Sequence, residues 1–512
     1  MLPGRVRLTG RDLRPADVVA IARGGDSVEV APEARARIES AAAALARAVQ
    51  AGTPIYGVTT GLGPRVVHEL EAAADAGAVS LRILRGRATA VGEPLATEVV
   101  RAAMAVRLNG LCTGGAGAGI AVADGIAALL ERGVHPVIPR TGSVGAADIC
   151  LLAFLGLTLV GEGEAELGGE RLASANALTL AGLQPVELGP KDGLAILSSS
   201  AVSVGAAALA AHDAVELLDA VQVSAALAME GFRANLSPLD PRAVAARPAP
   251  GQAWAADGLR AVLAGGALAE PGAARRLQDP LSLRTVSQVH GALKSAVAWL
   301  GEALAPDLNG AADNPLVIAD DERVISTGNF HVPALSLALD AAAIAVAQTA
   351  SLASERFARL ITGRLSGLAD NLTERGASHS GFAAVEKTAQ ALTREIRALA
   401  APRSLDPAVG AGGVEDDSTG AVTGALRLRD ELERFRLLIA LELMAAAQAV
   451  DLAGAVARLG AGTGVAYGEV RRRVAFLDDD RPIGPDIERV AEEALASGVL
   501  LQRVRDATPC WH

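Results

Sequence analysis

The chain has 512 residues, of which 51% are hydrophobic and only 2% aromatic, and its formal net charge is −11. That length allows large cores and more than one domain, and cores filled by Ala, Leu and Val favour helices. The acidic balance excludes nucleic acid as the main partner, and three cysteines (Cys112, Cys150, Cys510) provide neither a disulfide framework nor metal-ligand spacing.

The N-terminus carries Arg5, Arg7, Arg11 and Arg14 with no apolar core after them, so no signal peptide is expected. Residues 1–30 read as a short β-rich lead-in, with a strand at Val28-Glu29-Val30 and a helix over about 33–50. Thr53 to Pro64 follows, a loop rich in Gly, Thr and Pro that holds Tyr56, one of only two tyrosines. A helical run from Val79 leads to Arg85-Gly86-Arg87. Residues 97–133 read as two helices split by the glycine run Gly114–Gly119, which no strand precedes and which is therefore not a dinucleotide fingerprint.

The segment Pro139 to Ala153 is a glycine-broken polar loop running into an apolar helix. Gly142 and Gly145 permit unusual backbone angles, and Asp148 stands where it caps that helix or lies in its first turn. The apolar run Ile149 to Val160 is too short to span a bilayer, so no membrane partner is expected and the setting reads as cytoplasmic. A small hairpin turns through Gly168-Gly169, and Lys191 to Ser200 opens a long helical segment. Beyond it, apolar residues recur at three- and four-residue spacing over about 200–229, 284–305, 333–363, 380–400 and 420–459, predicting a bundle of long helices. Short helices around 485–504 close the chain, and Asp478–Asp480 reads as a solvated turn.

Several of these stretches resemble motifs of the aromatic amino acid ammonia-lyase family, which comprises the histidine, phenylalanine and tyrosine ammonia-lyases and the related aminomutases. Tyr56-Gly57-Val58-Thr59-Thr60-Gly61-Leu62-Gly63 is similar to its Tyr-Gly-(Val/Ile)-(Asn/Thr)-Thr-Gly-Phe-Gly, whose tyrosine is the catalytic base. Lys191-Asp192-Gly193-Leu194-Ala195-Ile196-Leu197-Ser198 resembles Lys-Glu-Gly-Leu-Ala-Leu-Leu-Asn. Gln278 to Arg284 resembles Gln-Asp-Pro-Tyr-Ser-Leu-Arg, with Leu281 for the tyrosine, and Arg284 matches the arginine that clamps the substrate carboxylate. Asn309 to Leu316 carries the Asp-Asn-Pro-Leu whose asparagine, here Asn314, contacts the same carboxylate. Gly328-Asn329-Phe330-His331 matches Gly-Asn-Phe-His, whose phenylalanine lines the pocket, and Ser354-Glu355-Arg356 matches a structural Ser-Glu-Arg. Val414-Glu415-Asp416-Asp417 stands where the family has Gln-Glu-Asp-His, and Glu415 either faces the pocket or lies in solvent. Arg87 stands at the family's Ser-His and either faces the pocket or lies in solvent. The motifs keep the family order over about 30–455.

The resemblance implies a mainly α fold, an N-terminal globular domain over a central bundle of long helices. The spans expected are 1–200, 201–459 and 460–512, and the assembly a homotetramer. In the family, an Ala-Ser-Gly tripeptide cyclises to a methylidene-imidazolone. Here Ala146-Ala147-Asp148 stands in its place, with no serine hydroxyl to leave and no glycine nitrogen to close the ring. The expectation is therefore an enzyme without that group or any metal. Tyr56 would do acid–base chemistry on a carboxylate-bearing, amino-acid-derived small molecule, in an elimination, addition, isomerisation or cyclisation. The alternatives are a non-catalytic ligand-binding or scaffold relative, and an ordinary histidine or aromatic amino acid ammonia-lyase.

Overall fold

Ala-rich segments with few β-branched residues make helices the dominant element, and the strands are short and local. The computed structural model describes residues 4–68, 76–406 and 410–511. The described chain divides into two compact units. The first holds residues 4–212, 300–340 and 402–426, and the second 213–299, 341–401 and 427–511. The units are interleaved, where three consecutive spans were expected, because the chain passes from one to the other within its long helices. The helix Ala201–Phe232, for example, begins in the first unit and ends in the second.

In the first unit, Arg5–Leu8 pairs in parallel with Ser27–Val30, and the helix Pro32–Gln50 follows. Pro32 and Glu33 in its first turn and Arg47 in its last complement the helix ends. The helix Thr97–Cys112 is the centre of this core: every residue from Val99 to Cys112 is buried. Its arginines are buried with their partners. Arg101 donates to the carbonyls of Ile21 and Leu130, and Arg107 pairs with Asp313. Val134–Pro136, Glu164–Leu167 and Glu170–Ala173 form an antiparallel sheet, the last two as the expected hairpin. Val91–Pro94 pairs with Pro139–Thr141, so the glycine-broken loop springs from a strand.

In the second unit, the core is built on portions of the long helices Ala201–Phe232, Val286–Asn309, Pro333–Leu360 and Ala421–Leu452. One polar group crosses it. Arg356 and Glu442 are fully buried and joined at 2.5 and 3.0 Å, and Ser224 donates to the same carboxylate at 2.8 Å. Removing one partner of such a pair leaves a buried charge, which costs about 3–5 kcal/mol. The structural role expected for Ser354-Glu355-Arg356 thus falls on Arg356.

One sequence reading changes, and a second meets a further observation. Asp478–Asp480 is not simply a solvated turn: Asp478 pairs with Arg375, and Asp480 accepts the amides of Ser380 and Gly381 at 2.7 and 2.9 Å. Acidic side chains anchor a loop wherever free amides face them. Secondly, two helical stretches, Asp192–Phe232 and Pro333–Leu360, are long and apolar enough to cross a membrane by length and composition. All of the apolar window in the first and 61% in the second is buried inside the protein, which makes them core helices.

Candidate active site

The site of the first unit is organised by the stretch Lys191–Ser200. The helix Asp192–Leu197 is short and wholly buried. Its start is anchored in the glycine run: the Lys191 ammonium donates to the Ala116 carbonyl at 2.5 Å, and Asp192 accepts the amides of Gly119 and Gly189 at 2.7 and 2.6 Å. Burial lowers the Lys191 ammonium to about 8. The glycines of this run are required by close approach, since a Cβ on Gly115 would fall 2.8 Å from that of Ala311.

Four expected site elements meet this stretch. The Tyr56 loop packs on its side, because the space a Cβ would need at Gly57 is filled by the side chains of Leu62 and Leu194. The half-buried Tyr56 hydroxyl accepts the Gly63 amide at 2.8 Å, which closes the loop on itself. At the other end, Ser198 accepts the Asn314 amide at 2.9 Å and donates to the Asn314 carbonyl at 3.4 Å. The Asn314 carboxamide oxygen in turn accepts the Thr327 amide at 3.0 Å, and the Asn314–Pro315 bond is cis. Ser199 accepts the Asp148 amide at 2.8 Å. Ser200 donates to the Phe330 carbonyl at 2.7 Å, and Phe330 stands edge-on to His331.

The Ala146-Ala147-Asp148 turn has a specific local structure. Gly145 has φ +91° and Ala147 φ +61°, the latter in a region a side chain seldom adopts. A Cβ on Gly145 would meet the Gly420 amide at 2.7 Å. The turn is tied to the end of the 410–420 loop: Gly420 donates to the Val144 carbonyl at 2.9 Å and Thr419 to that of Gly145 at 3.0 Å. Asp148 begins the helix Ile149–Leu159, yet its side chain makes no cap bond, contrary to the capping role considered for it. Its fully buried carboxylate instead accepts Ser143 at 2.9 Å and the Ser203 amide and hydroxyl at 2.8 and 3.0 Å. Burial raises this carboxyl above the usual range, and these hydrogen bonds oppose the rise.

Glu415 is exposed on the 410–420 loop, where its backbone pairs with Gly410. That loop meets the Tyr56 loop, with Ala411 3.9 Å from a Cβ placed on Gly63. Asp417, at the position of the family histidine, pairs with His331 at 3.1 Å. Arg87 is half-buried at the turn after the helix Ala76–Arg85, and among the described residues no hydrogen bond or ion pair joins it to the others. Arg284 and Leu281 belong to the second unit. Arg284 is half-buried with its Nε donating to the Asp279 carbonyl at 2.7 Å, and Leu281 is 60% exposed.

Sequence reading missed the groups beneath the site. Arg107 and Asp313 are both fully buried and paired at 2.7 Å. The signal was present in each case: Arg107 interrupts an apolar helix, and Asp313 directly precedes Asn314. Ser203, which holds Asp148, had no comparable signal.

A tyrosine loop, a paired serine and asparagine, and a glycine-broken turn are gathered on the one buried stretch Leu194–Ser200, and likeness to known proteins makes the chain a lyase-type enzyme. The family model for aromatic amino acid lyase matches residues 13–472, and the chain belongs to that family. It is 40% identical over 484 residues to a histidine ammonia-lyase of Symbiobacterium thermophilum, covering 94% of this chain and 95% of that protein. Among solved structures it matches the tyrosine aminomutase of Streptomyces globisporus with a TM-score of 0.93 at 30% identity, covering 98% and 99% of the two chains. It matches the ergothioneine-degrading ergothionase of Treponema denticola with a TM-score of 0.91 at 31% identity, covering 97% and 99%.

These likenesses correct one expectation. An enzyme without a prosthetic group was expected, whereas histidine ammonia-lyases, which the chain matches over nearly its whole length, normally use methylidene-imidazolone formed from Ala-Ser-Gly. The residues at 146–148 do not themselves fit that precursor. Ala147 has no hydroxyl, and the next residue is Asp148, whose carboxylate is held by Ser143 and Ser203. No catalytic step below is routed through the group.

Proposed function

We propose that the chain is a carbon–nitrogen lyase acting on a small amino-acid substrate. Tyr56 moves the proton, and Arg284 and Asn314 hold the carboxylate. The observation that carries this reading is the attachment of the Tyr56 loop, Asn314, Phe330 and the 146–148 turn to the single stretch Leu194–Ser200. A phenol is a competent acid–base group when fixed within reach of the proton it transfers. A guanidinium offers two parallel donors to a carboxylate, and the Arg284 contact to the Asp279 carbonyl uses only Nε. Phe330 provides an apolar wall, and Glu415 a carboxylate on the loop facing Tyr56. Arg87, Ser198 and Leu281 complete the set proposed for substrate binding.

Among substrates, L-histidine has the first claim, since the histidine ammonia-lyase above is 40% identical to this chain. The proposed assembly is a homotetramer, which would bring Arg284 to the other groups from a second copy, and the proposed setting is cytoplasmic. The test is ammonia release by the purified protein supplied with L-histidine, L-tyrosine or L-phenylalanine. Release from one of these, with the matching unsaturated acid as product, supports the reading. Ligand binding without release from any amino acid contradicts it.

A further inference from the structure

The second unit contains a cavity of about 240 Å³ whose lining includes none of the residues assigned above. It lies at the C-terminal end of the helix Ala201–Phe232, between the turn 267–273 and the segment 455–458. Four charged residues line it: Glu230, Arg233, Glu270 and Arg458. Leu268 and Pro271 supply apolar wall.

Two independent features single it out. Glu230 is only 4% exposed, and its side chain's two hydrogen bonds among the described residues, from the Gly460 amide at 3.0 Å and the Thr463 hydroxyl at 3.1 Å, both fall on Oε1. Neither occupies Oε2. Burial pushes this carboxyl up, so its charged form needs a partner on the Oε2 side that the two bonds to Oε1 do not provide. Secondly, Arg233 has φ +57° directly after the helix, the position where glycine is usual. A long side chain kept in a costly conformation points to a use for that side chain. Its Nε and Nη2 donate to the Ala273 carbonyl, which fixes the guanidinium over the cavity wall. Arg458 is exposed nearby at the rim.

Two cations and two carboxylates match neither a simple anion nor a simple cation. They match a zwitterion. The helix's final carbonyls add negative potential on the Glu230 side, where an ammonium would lie. We propose that this cavity binds a free α-amino acid with a small aliphatic side chain, its ammonium at Glu230, its carboxylate between Arg233 and Arg458, and its side chain against Leu268 and Pro271.

The test is calorimetric titration of the full-length protein with L-leucine. The expected result is one molecule bound per chain, weakened at least about tenfold in Arg458→Ala and in Glu230→Gln, and unchanged in Tyr56→Phe. L-leucinamide, which lacks the carboxylate and so both arginine contacts, should bind the wild type at least as weakly as L-leucine binds Arg458→Ala. Arg458 is exposed, so its replacement is compatible with folding and leaves turnover at the first site unchanged. No binding of L-leucine up to about 10 mM would overturn the proposal, as would binding that survives Arg458→Ala or disappears in Tyr56→Phe.

Discussion

Asn314 is fixed before any substrate arrives. Its amide and carbonyl are taken by Ser198, and its carboxamide oxygen by the Thr327 amide, so the carboxamide N–H₂ is the end left to donate to a carboxylate. Ser198→Ala removes the hydroxyl that spans both backbone groups. We predict a several-fold rise in KM with a smaller change in kcat, because the binding group loosens while the acid–base group is untouched. Arg284→Lys keeps the charge and loses the fork. The expected outcome is a KM higher by about ten- to a hundredfold, measured by steady-state kinetics, with the melting temperature preserved. At this scale the motifs made positions legible: Tyr56, Asn314 and Phe330 each stand inside a motif, and their segments attach to the stretch Leu194–Ser200, whereas Arg284 belongs to the second unit. Asp148 was legible as a position, as a cap or a first-turn residue, but its side chain turns to Ser143 and Ser203 instead of capping. Its partner Ser203 is the third residue of the helix Ala201–Phe232, after three further serines, and nothing in the spacing says which of these hydroxyls turns to Asp148.

The elements succeed or fail as recognisable patterns. The helices 97–112, 149–159, 286–309 and 421–452 follow from Ala and Leu periodicity, and the glycine run 114–119 follows a helix rather than a strand. Its real task, holding Lys191 and Asp192 at the head of the central helix, depends on tertiary contacts that no local pattern encodes. Beneath that helix, Arg107 bridges the Ala195 carbonyl and Asp313. Asp313→Ala leaves the Arg107 guanidinium buried and unpaired, and we predict a loss of about 3–5 kcal/mol by denaturant unfolding. Gly145→Ala is expected to destabilise as well, because the new Cβ meets the Gly420 amide and the φ of +91° disfavours it. An unchanged unfolding midpoint in either variant would show that the 145–420 junction or the buried pair is looser than described.

On the scale of the whole molecule, the division into two interleaved units was hidden because motifs map chain order, while the units are assembled from separated segments. The second unit also buries a carboxyl without compensation. Glu431 is fully buried, neither of its oxygens has a hydrogen-bond partner among the described residues, and burial raises it from 4.5 to about 9. The folded state therefore holds this proton more tightly than the unfolded chain. The resulting contribution is fully present below about pH 4.5 and is lost as pH rises toward 9. Glu431→Gln should raise the melting temperature more at pH 8 than at pH 5, and an equal effect at both would contradict the assignment. The central claim, that a single tyrosine carries the proton in an ammonia-lyase family site, is tested most directly by comparing ammonia release from L-histidine by the wild type and by Tyr56→Phe. A loss of about 10² to 10⁴ in kcat with an unchanged melting curve is the predicted result. Release by Tyr56→Phe at the wild-type rate would contradict the account.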